Sequence, residues 1–390
     1  MALPAGYRDR FPGLAGDWAR FDGPAGTQMV DVAIDASAAF SRSGTNANSH
    51  GFFDAAVAVD ELMARARANV GALLGADPGG VVFGPSTTNL LFALTRAIAR
   101  KLRPGDEVIC TQLDHDANVT PWRLAAADAG ASVLTAKIDA TAGTLPVDAV
   151  TSLLTPRTRW VAVTGASNAI GTIPDVAAMA AAAHAAGARL VVDAVHLAPH
   201  RAIDVGALGC DVLATSPYKW YGPHAGVLWV EPTLLESLDA YRVRPAAPTG
   251  PGKFETGTPA FEAIAAVDAA STFLRDIGLD AIRAAEEAVL EPLLDGLRET
   301  DGVEVYGLPT IDGRTPTVAF NVHGLHPDDV ARALARDHIA VWSGDYYAVE
   351  IMGALGLDST GGAVRAGVSS YNTADDVARL LTSVRALAGR

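Results

Sequence analysis

The sequence predicts an α/β fold: a mainly parallel sheet with helices packed on it, followed by a smaller α+β part. Three observations predict it. Short apolar runs alternate with helical patterns of roughly 10–15 residues, the signature of βαβ units. Two of those runs, at 160–163 and 190–192, are continuously apolar, as strands buried on both faces must be. The chain has 390 residues, of which 49% are hydrophobic and 19% charged. At roughly 150 residues per domain that length allows two substantial cores.

The elements follow in order. Residues 55–75 place apolar side chains at helical spacing, with Glu61, Arg65 and Arg67 on a polar face. Val81-Val82-Phe83 is a short strand stopped by Gly84-Pro85. Ser86-Thr87-Thr88-Asn89 then leads into an apolar helix over 90–100, which ends before Pro104-Gly105-Asp106. The alternation continues with strand 107–110, helix 121–129, strand 132–136, helix 147–154, strand 160–164 and helix 176–187. Strands 190–192 and 212–215 complete it. Residues 30–250 are therefore expected to form the large domain. Proline and glycine dominate 244–252, and a long helical pattern covers 260–299. Strands at 303–306, 317–322, 339–342 and 364–368, with helices at 327–336 and 373–388, predict a small α+β domain of residues 251–390. The N-terminal residues 1–29 are expected to join it.

Thirty basic against 44 acidic residues leave a net charge of −14. That balance excludes a broad basic face for nucleic acid or an anionic membrane. There is no uncharged apolar run of roughly 18 residues to span a bilayer, and residues 1–11 lack a signal-peptide core. A soluble, cytoplasmic protein is expected. The two cysteines, Cys110 and Cys210, sit in apolar strand-like runs and are expected to be buried, inert thiols rather than a disulfide framework. Dinucleotide, Walker A, zinc-protease and nucleophile-elbow motifs are all missing. His196 and His200 are four apart, but Pro199 disfavours the helix that would aim both at one metal, so no metal site is expected.

The informative stretch is Thr215-Ser216-Pro217-Tyr218-Lys219-Trp220-Tyr221-Gly222-Pro223. It places Lys219 at the carboxyl end of a buried strand, where open α/β sheets bind ligands. Desolvation there lowers the pKa of the amine and makes it nucleophilic. Strand 190–192 ends in Asp193, a carboxylate placed either to cap a helix or to pair with a protonated heterocyclic nitrogen. Ser86-Thr87-Thr88, between a strand and a helix, offers hydroxyls and free N–H groups to a phosphate.

With these residues in place, the chain resembles the fold-type I enzymes that use pyridoxal 5'-phosphate (PLP). It is most similar to the cysteine desulfurase-like branch of aminotransferase class V, over residues 21–381, which implies a mainly parallel seven-stranded sheet sandwiched by helices in the large domain. The resemblance implies that Lys219 links covalently to the cofactor and that Asp193 holds its pyridine nitrogen protonated. His115, in Asp114-His115-Asp116-Ala117-Asn118, would stack on the ring. Asn168 and His196 would approach its phenolic oxygen, and Thr87, Thr88 and Ser216 its phosphate. Thr258, in Glu255-Thr256-Gly257-Thr258-Pro259, would reach the phosphate of a neighbouring subunit, which makes the active unit a homodimer. Arg365 would clamp the α-carboxylate of an amino-acid substrate, a task suited to its planar fork. Lys219, Asp193, His115 and Arg365 together argue against a scaffold that has lost its activity.

One departure from the family is clear. Its desulfurases carry a nucleophilic cysteine on a loop before the carboxylate-binding arginine. Here the matching stretch is Val341-Trp342-Ser343-Gly344-Asp345-Tyr346-Tyr347-Ala348, with Tyr347 at the cysteine's position. A phenol forms no persulfide, and its pKa near 10 makes it a poor nucleophile at neutral pH. Three reactions remain. The first is β-elimination by a C–S lyase, with Tyr346 or Tyr347 as acid or gate. The second is transamination. The third is β-decarboxylation or β-substitution. The candidates for the side-chain pocket are Asn46, Asn48, His50, Trp342 and Asp345.

Overall fold

Successive residues of each central strand enter different cores, which is why the strands read as unbroken apolar runs. Val161 and Val163 face one core with Leu190 and Val192, whereas Trp160, Ala162 and Val191 face the other. The computed structural model describes residues 2–389. Its central sheet comprises β1 (Val81–Gly84), β2 (Glu107–Thr111), β3 (Ser132–Ala136), β4 (Thr158–Thr164), β5 (Arg189–Asp193), β6 (Val212–Thr215) and β7 (Gly226–Val230). Their order is β1-β7-β6-β5-β4-β2-β3. From β6 to β3 every pairing is parallel, and only β7 runs antiparallel to its neighbours β1 and β6. The expected mainly parallel sheet of seven strands is thus observed. β7 is the strand that the sequence reading lacked; it is the apolar run after Gly222-Pro223.

Helices cover both faces. Thr87–Ala99 and Thr120–Ala129 bury Leu91, Leu94 and Trp122 on one side. Asp54–Leu74, Val176–Ala185 and Phe261–Ile277 bury Val59, Leu62, Met179 and Phe273 on the other. No helix among the described residues is long and apolar enough to cross a membrane.

The smaller sheet is antiparallel: β8 (Val303–Tyr306), β9 (Thr317–Val322), β10 (Trp342–Gly344) and β11 (Ala363–Gly367), in the order β10-β11-β9-β8. Helices Leu279–Arg298 and Ala374–Ala388 pack on it through Leu290, Leu294, Leu380 and Val384. The predicted strand 339–342 divides. Ile339–Ala340 pairs in parallel with Ala19–Arg20 from the N-terminal segment, and Trp342 begins β10.

The predicted helix 260–299 also divides, because Gly278 takes φ 84°, a left-handed conformation outside the helical range. Helix Phe261–Ile277 packs into the larger core through Phe261, Ile264 and Phe273. Helix Leu279–Arg298 makes the passage, with Leu279 and Ile282 in the larger core and Leu290 onward in the smaller. By packing, the chain passes from the larger core to the smaller along this helix. The N-terminal segment is shared in the same way: Tyr7 and Phe11 enter the larger core, Ala19 and Phe21 the smaller.

Because β6, β5, β4 and β2 are parallel, their carboxyl ends open on one edge of the sheet. β1, antiparallel to β7 as β6 is, ends on that edge too. The start of β7 crosses directly beneath the turn that follows β1. A Cβ on Gly226 would lie 2.3 Å from the Ser86 carbonyl carbon and 2.6 Å from the Thr87 nitrogen. Gly226→Ala is therefore expected to destabilise the fold by about 1–3 kcal/mol through overpacking. It should also loosen the start of helix Thr87–Ala99, read as lower denaturant resistance together with faster amide hydrogen exchange in that first turn.

Candidate active site

Five strand ends deliver the predicted residues to one place. Asp193 closes β5, in register with Thr164 of β4 and Ala214 of β6. Lys219 sits two residues past Pro217, in a tight turn just beyond β6. His115 follows β2, Asn168 follows β4, and Thr87 opens the helix after β1. Together with Thr88, His196 and Ser216 they line a recess of about 50 Å³. The recess shares the walls formed by Thr88, His115, Asn168 and Lys219 with a wider cleft of about 1090 Å³, bounded by Arg365, Trp342, Asp345, Tyr346 and Tyr347. Residues from both sheets thus enclose one space.

Burial sets the charges. The Lys219 ammonium is pushed down to about 7, first by desolvation and then by the Arg365 cation, with Asp193 opposing. The Asp193 carboxyl is pushed up by burial, against the Val195 N–H, which donates to it at 2.9 Å, and the charge of Lys219. His115 falls to about 3, mainly by burial and further by Lys219 and Arg365, so its ring is neutral. Its Nδ1 accepts the Ala117 N–H at 3.0 Å, which leaves the ring proton on Nε2. Beneath it, the buried Asp114 carboxyl is raised to about 8 by desolvation and bonds Thr111 and Asn118, fixing the turn that presents His115.

Around the recess, Thr87 Oγ1 donates to the Thr215 carbonyl at 2.7 Å and lies 2.7 Å from Ser216 Oγ. His196 Nε2 lies 2.9 Å from Thr317 Oγ1, and burial keeps its ring neutral. Behind it, His200 bonds the fully buried Glu286 at 2.9 Å.

The remaining expected residues fall into two groups. Arg365, on β11, is 4% exposed and donates from Nη1 to the Asn168 carbonyl at 2.8 Å. Tyr346 and Tyr347 follow β10 with φ of 55° and 56°, conformations that cost non-glycine residues on the order of 1 kcal/mol or more each. Two backbone contacts hold them: the Tyr346 carbonyl accepts Asn168 Nδ2 at 2.9 Å, and the Tyr347 carbonyl accepts the Asp116 N–H at 2.7 Å. Burial pushes the Tyr346 phenol up, and its hydroxyl is committed to the Ala363 carbonyl, so it is not placed to act as an acid. Tyr347 is 72% exposed, its ring tilted 31° to that of His115 with centroids 5.6 Å apart.

Asn46, Asn48 and His50 do not line this chain's cleft. They are exposed, and His50 bonds Asp60 on the adjacent helix Asp54–Leu74. Thr258 is exposed on a separate groove beside Phe254 and Tyr241.

The sequence reading missed the N-terminal contribution. Pro24 and Ala25 line the cleft. The Thr27 N–H donates to the Tyr218 carbonyl at 2.9 Å, and Thr27 Oγ1 accepts the Tyr221 N–H at 3.0 Å, so the turn carrying Lys219 is gripped from outside the sheet. The turn-rich run Gly23-Pro24-Ala25-Gly26 was the available signal.

A buried amine and a buried carboxylate bonded by one backbone N–H destabilise a fold unless a polar group comes between them. Asn168 Oδ1 and His196 Nδ1 are also buried without partners. Pyridoxal phosphate matches this set: an aldehyde for Lys219, a ring nitrogen for Asp193, a phenolic oxygen for Asn168 and His196. Its phosphate suits the N–H groups and hydroxyls at Thr87 and Thr88. Fold and site together define an enzyme of the PLP-dependent class. The profile of the aminotransferase class-V family matches residues 20–380, and the chain belongs to that family, whose cofactor is PLP.

Its relatives agree. An uncharacterized protein of Mycobacterium tuberculosis is 34% identical over 400 residues, covering 98% of both chains. A probable cysteine desulfurase of Halobacterium salinarum is 34% identical over 387 residues, spanning 94% of this chain and 91% of its own length. The apo structure of a cysteine desulfurase from Thermococcus onnurineus aligns with a TM-score of 0.93 at 27% identity, covering 100% of this chain and 99% of that one.

The depressed lysine carries a pH prediction for the cofactor-free protein. Between about 7 and the unfolded-state value near 10.4, the unfolded chain holds a proton on this amine that the folded chain has released, so stability rises with pH there. Lys219→Met is expected to stabilise the cofactor-free protein most below pH 7. The gain should shrink as pH climbs toward 10, read from denaturant midpoints across that range.

Proposed function

We propose that the protein is a C–S lyase, which eliminates sulfur from Cβ of an amino acid without passing it to a protein thiol. The observation that carries this reading is the loop over the cleft. It presents Tyr346 and Tyr347, and the chain's two thiols lie elsewhere. Cys110 is wholly buried on β2, and burial pushes its thiol up; burial likewise raises Cys210 to about 12. Neither lines the recess or the cleft, and neither is activated as a nucleophile.

Bound PLP supplies an electron sink that acidifies the substrate Cα–H. Asp193 would hold the ring nitrogen protonated, and neutral His115 would pack against the ring. Arg365 takes the α-carboxylate and so orients the Cα–H bond toward Lys219, whose amine is neutral for much of the time at neutral pH and removes the proton. Sulfur then leaves Cβ with its bonding pair, past Tyr347 at the cleft mouth, with Trp342 as a wall. Cysteine and water give pyruvate, ammonia and hydrogen sulfide. The active unit is read as a cytoplasmic homodimer, in which the exposed Thr258 meets the phosphate in the neighbouring subunit.

The test is incubation of the PLP-loaded enzyme with L-cysteine. Sulfide and pyruvate are expected in equal amounts, with the cofactor returned to its starting form. Pyridoxamine phosphate without sulfide would identify an aminotransferase, and carbon dioxide released from aspartate a β-decarboxylase; either replaces this reading. The combined variant Cys110→Ala with Cys210→Ala is expected to keep sulfide release within about threefold of the parent, since neither thiol is asked to touch a reacting atom. A persulfide relay predicts loss of turnover instead, measured on the same assay.

A further inference from the structure

Arg365 lacks a counter-ion and, unlike the buried Arg314 whose guanidinium donates to three backbone carbonyls, has little to replace it. It is 4% exposed and still cationic, its pKa lowered by burial only to about 10. No carboxylate of a described residue forms a salt bridge with it; the groups that favour its charge are Tyr346 and Tyr218. Its single hydrogen bond runs from Nη1 to the Asn168 carbonyl, and its Nε is buried without a partner.

What faces it instead is a ring. The guanidinium carbon lies 4.3 Å from the centroid of Tyr346, close enough for a strong cation–π contact in a desolvated setting. The ring is fixed at both ends. Its hydroxyl bonds the carbonyl of Ala363, two residues before Arg365 on β11, and its backbone carbonyl holds the Asn168 side chain. Asn168 in turn holds Arg365, so the three residues form a closed circuit. The left-handed backbone at Tyr346 is what presents the ring to the guanidinium while its carbonyl faces Asn168. An aspartate in its place would pair permanently with the arginine and compete with an incoming carboxylate. The face of a phenol stabilises the cation without competing.

We propose that Tyr346 is a positioning residue for carboxylate recognition: its ring holds the uncompensated Arg365 guanidinium with its fork free for the substrate. The inference rests on the amino-acid reading of the cleft, not on which bond is broken. The loop thus replaces a chemical role with a binding one. The support for the arginine stands at Tyr346, one residue before the exposed Tyr347.

The experiment uses the PLP-loaded enzyme and follows the change in the cofactor's visible absorbance on titration with L-alanine and, separately, with L-alaninol. The second probe has the amine but no carboxylate. The parent is expected to prefer L-alanine. Tyr346→Leu is expected to weaken L-alanine by about tenfold or more while leaving L-alaninol nearly unchanged. Tyr346→Phe keeps the ring and should retain most of the preference. Equal weakening of both probes in Tyr346→Leu would overturn the proposal, because a merely structural role predicts that result. So would an unchanged preference in Tyr346→Leu, or a parent without preference. Thermal unfolding of each variant shows that it is folded before titration. Failure of the C–S lyase reading shows in the sulfide assay and leaves this affinity ratio untouched.

Discussion

Two polar groups that water would normally claim, the Lys219 amine and the Asp193 carboxylate, are withdrawn together at the ends of adjacent strands. Each is disfavoured in its charged form by burial, and each partly relieves the other. The surrounding structure is apolar, which raises the cost of charging either group, and it holds both in fixed positions. Val192, Leu213 and Ala214 beneath the site are fully buried, and the parallel register that aligns Asp193 with Ala214 leaves no freedom for either end to drift. Everything else at the site follows from that edge. The helix start at Thr87, the turn at His115 and the loop at Asn168 are short because their strands already deliver them to the same place.

The central α/β architecture could be read from the sequence because its signals are local. Alternating apolar runs and helical patterns report a buried parallel sheet directly, and a lysine after such a strand reports its edge. Less could be read where the deciding fact was long-range. The run at 226–230 carries no turn signal that distinguishes a strand returning between β1 and β6 from a connecting segment. The division at Gly278 was hidden because one glycine in a long helical pattern is compatible with an unbroken helix; only its left-handed backbone separates the two. The two residues of pairing between Ala19–Arg20 and Ile339–Ala340 join positions more than 300 apart, which no periodicity could announce.

The candidate site divides along the same line. Lys219, Asp193 and Thr87 could be placed from their own neighbourhoods, as a strand end or a helix start. His115, Asn168, His196 and Arg365 needed the family pattern, since each alone is an ordinary polar residue. Asn48 and Thr258 lie away from this chain's recess, and the role proposed for Thr258 depends on a second copy. The grip of Thr27 on the Lys219 turn was invisible in sequence because its N–H and hydroxyl bond backbone groups 191 and 194 residues away.

Asn168 and Asp116 come from the larger sheet, whereas Tyr346 and Tyr347 come from the smaller one, so the bonds between them stitch the two halves across the cleft. A loop sewn down in this way does not sweep. Traffic through the cleft then falls to the exposed Tyr347 side chain, and rotation of a surface ring takes picoseconds to nanoseconds, against microseconds to milliseconds for a moving loop. Entry and exit become matters of passing a turnstile rather than waiting for a door.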